Sequence, residues 1–317
     1  MASEPIIQEI RAAADRIRPY VHRTPVLTCS TLNRLCHAEL FFKCENLQKA
    51  GAFKIRGATN AVFSLTDEEA AHGVATHSSG NHAAALALAA RWRGIRAYVV
   101  MPEDAPQVKQ NAVAGYGAEI TFCQPTLQAR EKTLAEVVAR TGAAVVHPYN
   151  DHRVIAGQGT AALELLDQVP HLDVVVAPVG GGGLLSGTAL TVAALSPHTA
   201  VIGAEPEKAD DAYRSLQAGR ILPQEHPDTV ADGLRTSLGD RTFPIIQRHV
   251  RGIVTVSEEA IIEAMRLIWE RMKLVVEPSA AVPLGALLSR RGDIQGQRMG
   301  IILSGGNVDL ARLPWIR

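Results

Sequence analysis

Cysteine is scarce, net charge is nil and long apolar runs are missing from this 317-residue chain. The four cysteines, Cys29, Cys36, Cys44 and Cys123, show no CxxC spacing and no histidine cluster. That pattern excludes a disulfide frame and a cysteine zinc site, and reads as free thiols in a reducing compartment. Lys+Arg and Asp+Glu number 32 each, with no long run of one sign. Electrostatics therefore offers no ground for a nucleic-acid or anionic-membrane partner. No 18-residue uncharged apolar run exists, which argues against a membrane span. The opening MASEPIIQEIRAAADRIR carries Glu4, Glu9 and Asp15 and has no apolar h-region, against a secretory signal. The expectation is a cytoplasmic protein of about two domains at roughly 100–200 residues each.

What is present is alternation. Gly73–His77 reads as strand, Asn81–Trp92 as helix and Arg96–Met101 as strand. A helix from about Pro106 to Tyr116, a strand at Glu119–Cys123, a helix over Leu127–Thr141 and a strand at Ala144–His147 follow. A second set holds a helix at Ile155–Val169, a buried strand at Asp173–Pro178, a helix at Leu184–Leu195 and a strand at Ala200–Glu205. Ser257–Met272 reads as an amphipathic helix capped by Ser257, and Met299–Leu303 as a last buried strand. Leu216–Arg241 is the least regular stretch. Such βαβα order predicts an α/β fold of open, mostly parallel twisted sheets covered by helices.

Four segments sit where open α/β sheets bind ligands, at strand-to-helix turns. KAGAFKIRGA places Lys54 between Phe53 and Ile55; an amine in apolar surroundings can stay neutral and nucleophilic, although such lysines are commonly surface residues that snorkel. THSSGNHAAA brings Ser78, Ser79, Gly80, Asn81 and His82 to a helix start, suited to a substrate carboxylate or simply to a capped turn. VGGGGLLSG follows the DVVVAP strand, and its glycines, Gly180 to Gly183, expose backbone N–H groups suited to a phosphate. It is neither a P-loop nor a dinucleotide fingerprint, and GQGTAA at Gly157–Ala162 reads as a helix-packing turn. ILSGGNVD, with Ser304, ends the final strand, facing a ligand or merely terminating the strand.

Taken together, FKIRGA, SSGNHA, VIAGQGT, GGGGLLSG, AEPEKADD, ERMKLVVEPSAA and SGGNVD resemble the serine/threonine dehydratase and serine racemase group of fold-type II pyridoxal-phosphate enzymes, from about Ile10 to Asp309. The resemblance implies a tryptophan synthase β-like architecture of two domains. Residues 1–72 and 148–317 would form the large cofactor-binding domain, and 73–147 a small mobile one. It places a Schiff base on Lys54, with Phe53 beside the ring and Asn81 on the 3′-oxygen. Gly180, Gly181, Gly182, Gly183 and Leu184 would cradle the phosphate, and Ser304 would meet the pyridine nitrogen. A hydroxyl there makes the ring a weaker electron sink than an aspartate would, which favours prompt β-elimination. Lys54 would act as base, and Ser79 would return a proton on the opposite face, the step on which racemisation depends.

Arg130 and Ser237 match carboxylate-contacting positions of the group, and Glu205, Ala209 and Asp211 match a divalent-cation site for Mg2+, Mn2+ or Ca2+. Two local patterns remain as alternatives: a solvated helix arginine, and an acidic helix start. Ala52 replaces a serine common in the group, Tyr149-Asn150 follows the plant-type pattern, and Ala83-Ala84 stands where animal racemases keep part of an ATP site, so nucleotide activation is not expected. The implied activity is dehydration of small β-hydroxy amino acids such as L-threonine or L-serine, by a homodimer. Serine racemase is one rival, and a dehydratase of 3-hydroxyaspartate or phenylserine another. A non-catalytic binding protein on the same scaffold and a nicotinamide dehydrogenase are rivals from other classes.

Overall fold

The computed structural model of the chain describes residues 6–78, 80–105, 107–289 and 294–316. The chain opens with α1 (Ile7–Ile17), β1 (Val26–Leu27), α2 (Ser30–Cys36), β2 (Glu39–Cys44), α3 (Lys54–Phe63) and α4 (Asp67–Ala71). Next come β3 (Val74–His77), α5 (Asn81–Arg93), β4 (Ala97–Pro102), α6 (Gln107–Gly115), β5 (Glu119–Cys123), α7 (Leu127–Thr141) and β6 (Ala144–Val145). Then α8 (His152–Gln168), β7 (Val174–Pro178), α9 (Gly183–Leu195), β8 (Ala200–Pro206) and α10 (Asp211–Ala218) follow. The described chain closes with α11 (Thr242–His249), β9 (Gly252–Val256), α12 (Glu258–Leu267), α13 (Pro278–Leu288) and β10 (Arg298–Leu303).

Two sheets result. One has the order β1-β2-β10-β7-β8-β9, parallel except for the antiparallel edge pair β1/β2; the other, β5-β4-β3-β6, is parallel throughout. The predicted mostly parallel α/β class is what forms. β7 shows why: VVVAP is buried at every position, as a strand covered on both faces must be. Val174 and Val176 enter the core beneath α12 and α13, while Val175 and Ala177 enter the opposite core beneath α9 and α11. That is the two-residue alternation of a pleated strand.

Several elements differ from the sequence reading. The helix expected from Ile155 starts at His152, because the Asp151 side chain caps it by accepting the Arg153 N–H. The helix expected to run to Met272 is α-helical only to Leu267 and continues as a π turn over Ile268–Met272; Ser257 does cap it, accepting from the Ala260 N–H. The strand expected to reach His147 ends at Val145. Pro106, the expected start of one helix, lies outside the described residues, and α6 runs Gln107–Gly115. Among the described residues no helix is long and apolar enough to cross a membrane.

Candidate active site

Lys54 is the first residue of α3, and the turn that delivers it is unusual. Ala50 and Gly51 both take left-handed backbone (φ 57° and 70°), a conformation that costs a non-glycine residue free energy. Ala52 then bridges to Gly305, and the Phe53 N–H donates to the Ser304 carbonyl at 3.0 Å. This brings Ser304, buried at the end of β10, next to the lysine. Lys54 Nζ donates to the Pro148 carbonyl at 2.8 Å and lies 5.2 Å from the centroid of the Phe53 ring. Burial lowers the amine to about 8, against an opposing pull from the Glu277 carboxylate. A fraction of neutral, nucleophilic amine therefore exists near neutral pH.

Glu277 is a site residue that the sequence reading quoted inside a motif but gave no role. It stands just before α13, 5% exposed, and burial pushes its carboxyl up to about 7, aided by Asp232. Asn81 Nδ2, at the start of α5, donates to its two oxygens at 2.8 and 3.1 Å. Asn81 is thus held between the two sheets' elements. Its neighbour Gly80 has open space where a Cβ would stand. The Gly80 N–H points to Ser78 Oγ at 3.4 Å. Ser79 lies outside the described residues. His82 is buried, its Nε2 facing the Val146 carbonyl at 3.1 Å and its Nδ1 without a partner in the described structure. Burial and the charge of Lys54 hold it well below the usual histidine range, so it is neutral.

The tetraglycine turn joins β7 to α9. Gly182 is left-handed (φ 89°). A Cβ on Gly181 would sit 2.3 Å from the Tyr149 ring, one on Gly183 2.9 Å from Tyr149 Cβ, and one on Gly180 3.0 Å from Leu234 Cα. Only glycine lets the backbone lie this close. Thr242 Oγ1 donates to the Gly181 carbonyl at 2.8 Å and so sets the plane of that peptide. Leu184, in the first turn of α9, is buried. Tyr149, packed on the turn, directly follows Pro148, the residue that accepts from Lys54. Amine and turn are therefore neighbours. The donor set suits a group with an electrophilic carbon at one end and an anion at the other.

His147 Nδ1 accepts from the backbone N–H groups of Tyr149 and Asn150 at 3.3 and 2.9 Å, and its ring meets those of His77 and Tyr149 edge-on. Burial, with His77 and Lys54 nearby, lowers it to about 4. Arg130 on α7 is half-buried; its charge, after burial, is the next cause that lowers His77. Arg130 Nε donates to the Thr126 carbonyl at 3.4 Å. Ser237 does not join the Lys54 cluster by any hydrogen bond: its Oγ accepts the Gln224 N–H at 2.8 Å.

Glu205 at the end of β8 and Asp211 at the start of α10 are both fully buried. Glu205 accepts the Ala212 and Tyr213 N–H groups at 2.9 and 2.8 Å and so caps the α10 N-terminus. Burial and mutual repulsion push Glu205 up to about 9, and burial raises Asp211 to about 7. Asp211 Oδ2 accepts the Leu238 N–H, whereas Oδ1 has no partner in the described structure. Among the described residues no three His, Cys, Asp or Glu side chains cluster to hold a metal. Only an oxygen shell completed by backbone, such as the buried Ala209, would suit a cation here.

Residues 17–305 match the family model described as pyridoxal-phosphate dependent enzyme. The chain is 56% identical over 311 residues to a β-hydroxyaspartate dehydratase of Paracoccus denitrificans (strain Pd 1222), covering 98% of this chain and 99% of that protein. The structure of maize serine racemase superposes with a TM-score of 0.96 at 46% identity, covering 98% and 95% of the two chains. The serine racemase of Dictyostelium discoideum superposes with a TM-score of 0.91 at 52% identity, covering 96% and 99%. A solved threonine deaminase superposes with a TM-score of 0.92 at 50% identity, covering 97% and 100%. A lysine amine of lowered basicity beside a glycine turn, inside a match of this extent, leads to one conclusion: the chain belongs to the family of pyridoxal-phosphate dependent enzymes.

Proposed function

We propose that this chain is a dehydratase of small β-hydroxy amino acids such as L-threonine and L-serine, which yields the 2-oxo acid and ammonia. The observation that carries the reading is Lys54 Nζ, of lowered basicity, bonded to the Pro148 carbonyl beside Tyr149, which packs on the tetraglycine turn. Pyridoxal phosphate, when bound, supplies the electron sink that lets a Cα proton leave. Lys54 and Phe53 hold its aldehyde end and flank its ring. The N–H groups of Gly180 to Gly183, with Leu184, receive the anionic tail, Asn81 a ring oxygen and Ser304 the ring nitrogen. The start of α5, from Ser78 to His82, receives the substrate carboxylate.

Lys54 Nζ is the atom that takes the Cα proton, and its lowered basicity keeps part of it unprotonated at neutral pH. Ser79 is the residue assigned to return a proton to Cα, and racemase activity would depend on it. A divalent cation at Glu205, Asp211 and the Ala209 carbonyl is part of the same proposal; the two buried carboxylates and the unpartnered Asp211 Oδ1 support it.

A second reading, 3-hydroxyaspartate as substrate, is favoured by Arg130, whose charge reaches His77 and Tyr149 and could meet a second carboxylate. The extensive identity to a β-hydroxyaspartate dehydratase points the same way. Incubating the cofactor-loaded protein with L-serine, L-threonine, 3-hydroxyaspartate and phenylserine, with ammonia, oxo acid and D-isomer measured, tests both readings. Ammonia from 3-hydroxyaspartate that is lost in Arg130→Ala selects the second. D-isomer without ammonia selects a racemase, and ammonia from none of the four ends the dehydratase proposal.

A further inference from the structure

The polar groups around the turn that leads into Lys54 form one connected chain, and Asn307 is its node. Asn307 Nδ2 donates to the Ala50 carbonyl at 2.7 Å and to Asn81 Oδ1 at 2.9 Å. The Asn307 backbone N–H also reaches the Glu277 carboxylate and helps hold it down. Asn81 Nδ2 donates to that same carboxylate. An amide side chain has two nearly isosteric orientations, and only its hydrogen bonds distinguish them. One end of the chain, the Ala50 carbonyl, can only accept; the other, Glu277, accepts from Asn81 through both oxygens. The first forces Asn307 to turn its nitrogen inward, the second hydrogen of that nitrogen then takes Asn81 Oδ1, and Asn81 must present its NH2 to Glu277.

The same side chain pins the backbone. A Cβ on Gly51 would lie 2.3 Å from Asn307 Oδ1, so the amide rests directly on the left-handed turn. That turn, with its strained Ala50, is closed on its other side by the Gly306 N–H on the Gly51 carbonyl at 2.9 Å.

We propose that Asn307 is a positioning residue that orients the Asn81 amide and holds the Ala50–Gly51 turn, so that one side chain sets Asn81 and Lys54 in register for the cofactor. It rests on the reading of Asn81 and Lys54 as cofactor contacts. Asn307 is itself exposed and acts only through these two neighbours.

The test is a double-mutant cycle. Pyridoxal phosphate affinity is titrated by absorbance for the wild type, Asn307→Ala, Asn81→Ala and the double variant, with melting temperatures recorded. Hydrogen exchange at Gly51 and Phe53 is followed in the cofactor-free proteins. Asn307→Ala is expected to weaken cofactor binding roughly tenfold, the scale of one hydrogen bond. It should cost less once Asn81 is alanine, the remainder coming from the turn, and should speed exchange at Gly51 and Phe53. Losses that add in full, with exchange unchanged, overturn the proposal. Asn307→Asp keeps the size but cannot donate to either acceptor, so wild-type affinity in that variant overturns it too. If Asn307→Ala fails to fold, the aspartate variant carries the comparison. A wild-type chain that takes up no pyridoxal phosphate refutes the cofactor contacts themselves and this proposal with them, an outcome distinct from failed coupling in a chain that binds it.

Discussion

Replacing Arg56 by methionine would leave two carboxylates facing a space that has lost its cation. The guanidinium, wholly buried, donates to Glu45 through Nε and Nη2 at 2.7 and 2.8 Å and to Glu164 through Nη1 and Nη2 at 2.8 Å each. Lys43 also serves Glu164, so that carboxylate keeps a partner. Glu45, fully buried, keeps only the Thr24 hydroxyl and a more distant Lys43 charge. Burial pulls Glu45 upward, but Arg56, with Lys43 and Thr24, outweighs it and holds the carboxyl below its ordinary range. Breaking such a buried pair from one side costs about 3–5 kcal/mol. At about 2.1 cal/mol/K per residue of unfolding entropy, that lowers Tm by about 4–8 °C.

The pH dependence follows from the sign of each shift. In the wild type Glu45 is depressed, so its stabilisation is present above the unfolded carboxylate pKa and fades as pH falls through the folded one. In Arg56→Met burial leaves the folded pKa above the unfolded one, so native protein binds the proton more tightly and loses stability as pH rises. The gap between the two proteins therefore widens from about pH 4 to pH 7. Urea unfolding at several pH values measures it, and removing the carboxylate as well, in Glu45→Gln with Arg56→Met, should recover most of the loss. A deficit below about 1 kcal/mol, the range of an exposed pair, or one flat in pH, would refute the reasoning. Since α3 begins at Lys54, the same variant should broaden the cofactor's absorbance band.

Three further outcomes are expected. Gly181→Ala should weaken cofactor binding roughly ten- to a hundredfold by driving a Cβ into Tyr149, and adding Tyr149→Ala should restore much of it; wild-type affinity in the single variant contradicts the cradle. In cofactor-free protein, acylation of Lys54 followed by peptide mass spectrometry should rise through pH about 8, whereas a rise delayed to the range of ordinary lysines would show an unperturbed amine. Without a cation, Glu205 and Asp211 have folded pKa values of about 9 and 7, above their unfolded ones, so they cost stability increasingly as pH rises from the ordinary carboxylate range towards 9. Magnesium should then raise Tm at pH 8 more than at pH 6, and not at all in Glu205→Gln; an unchanged wild-type Tm with Mg2+, Mn2+ and Ca2+ alike refutes the cation.

How much of this was legible beforehand depended on the range of the interactions. The DVVVAP run followed by four glycines marks a buried strand and a glycine turn into a helix by local chemistry alone, and both stand where expected. The helix α13, PSAAVPLGALL, gave no such sign: it is buried all round, so it lacks an amphipathic period, and Pro278 and Pro283 read as breakers until one is seen at the helix start. Strand β9 and helix α3 were likewise unread; α3 opens on the FKIRGA motif, whose lysine draws attention away from its helical run.

What the residues alone determined is the α/β alternation and the glycine turn, since each follows from neighbours along the chain. Only the tertiary structure decided that Glu277, Asn81 and Asn307 meet, that Tyr149 lies on Gly181, and how basic Lys54 is. Those depend on desolvation and on charges delivered by distant segments, and a side chain's proton affinity is a property of what surrounds it in space.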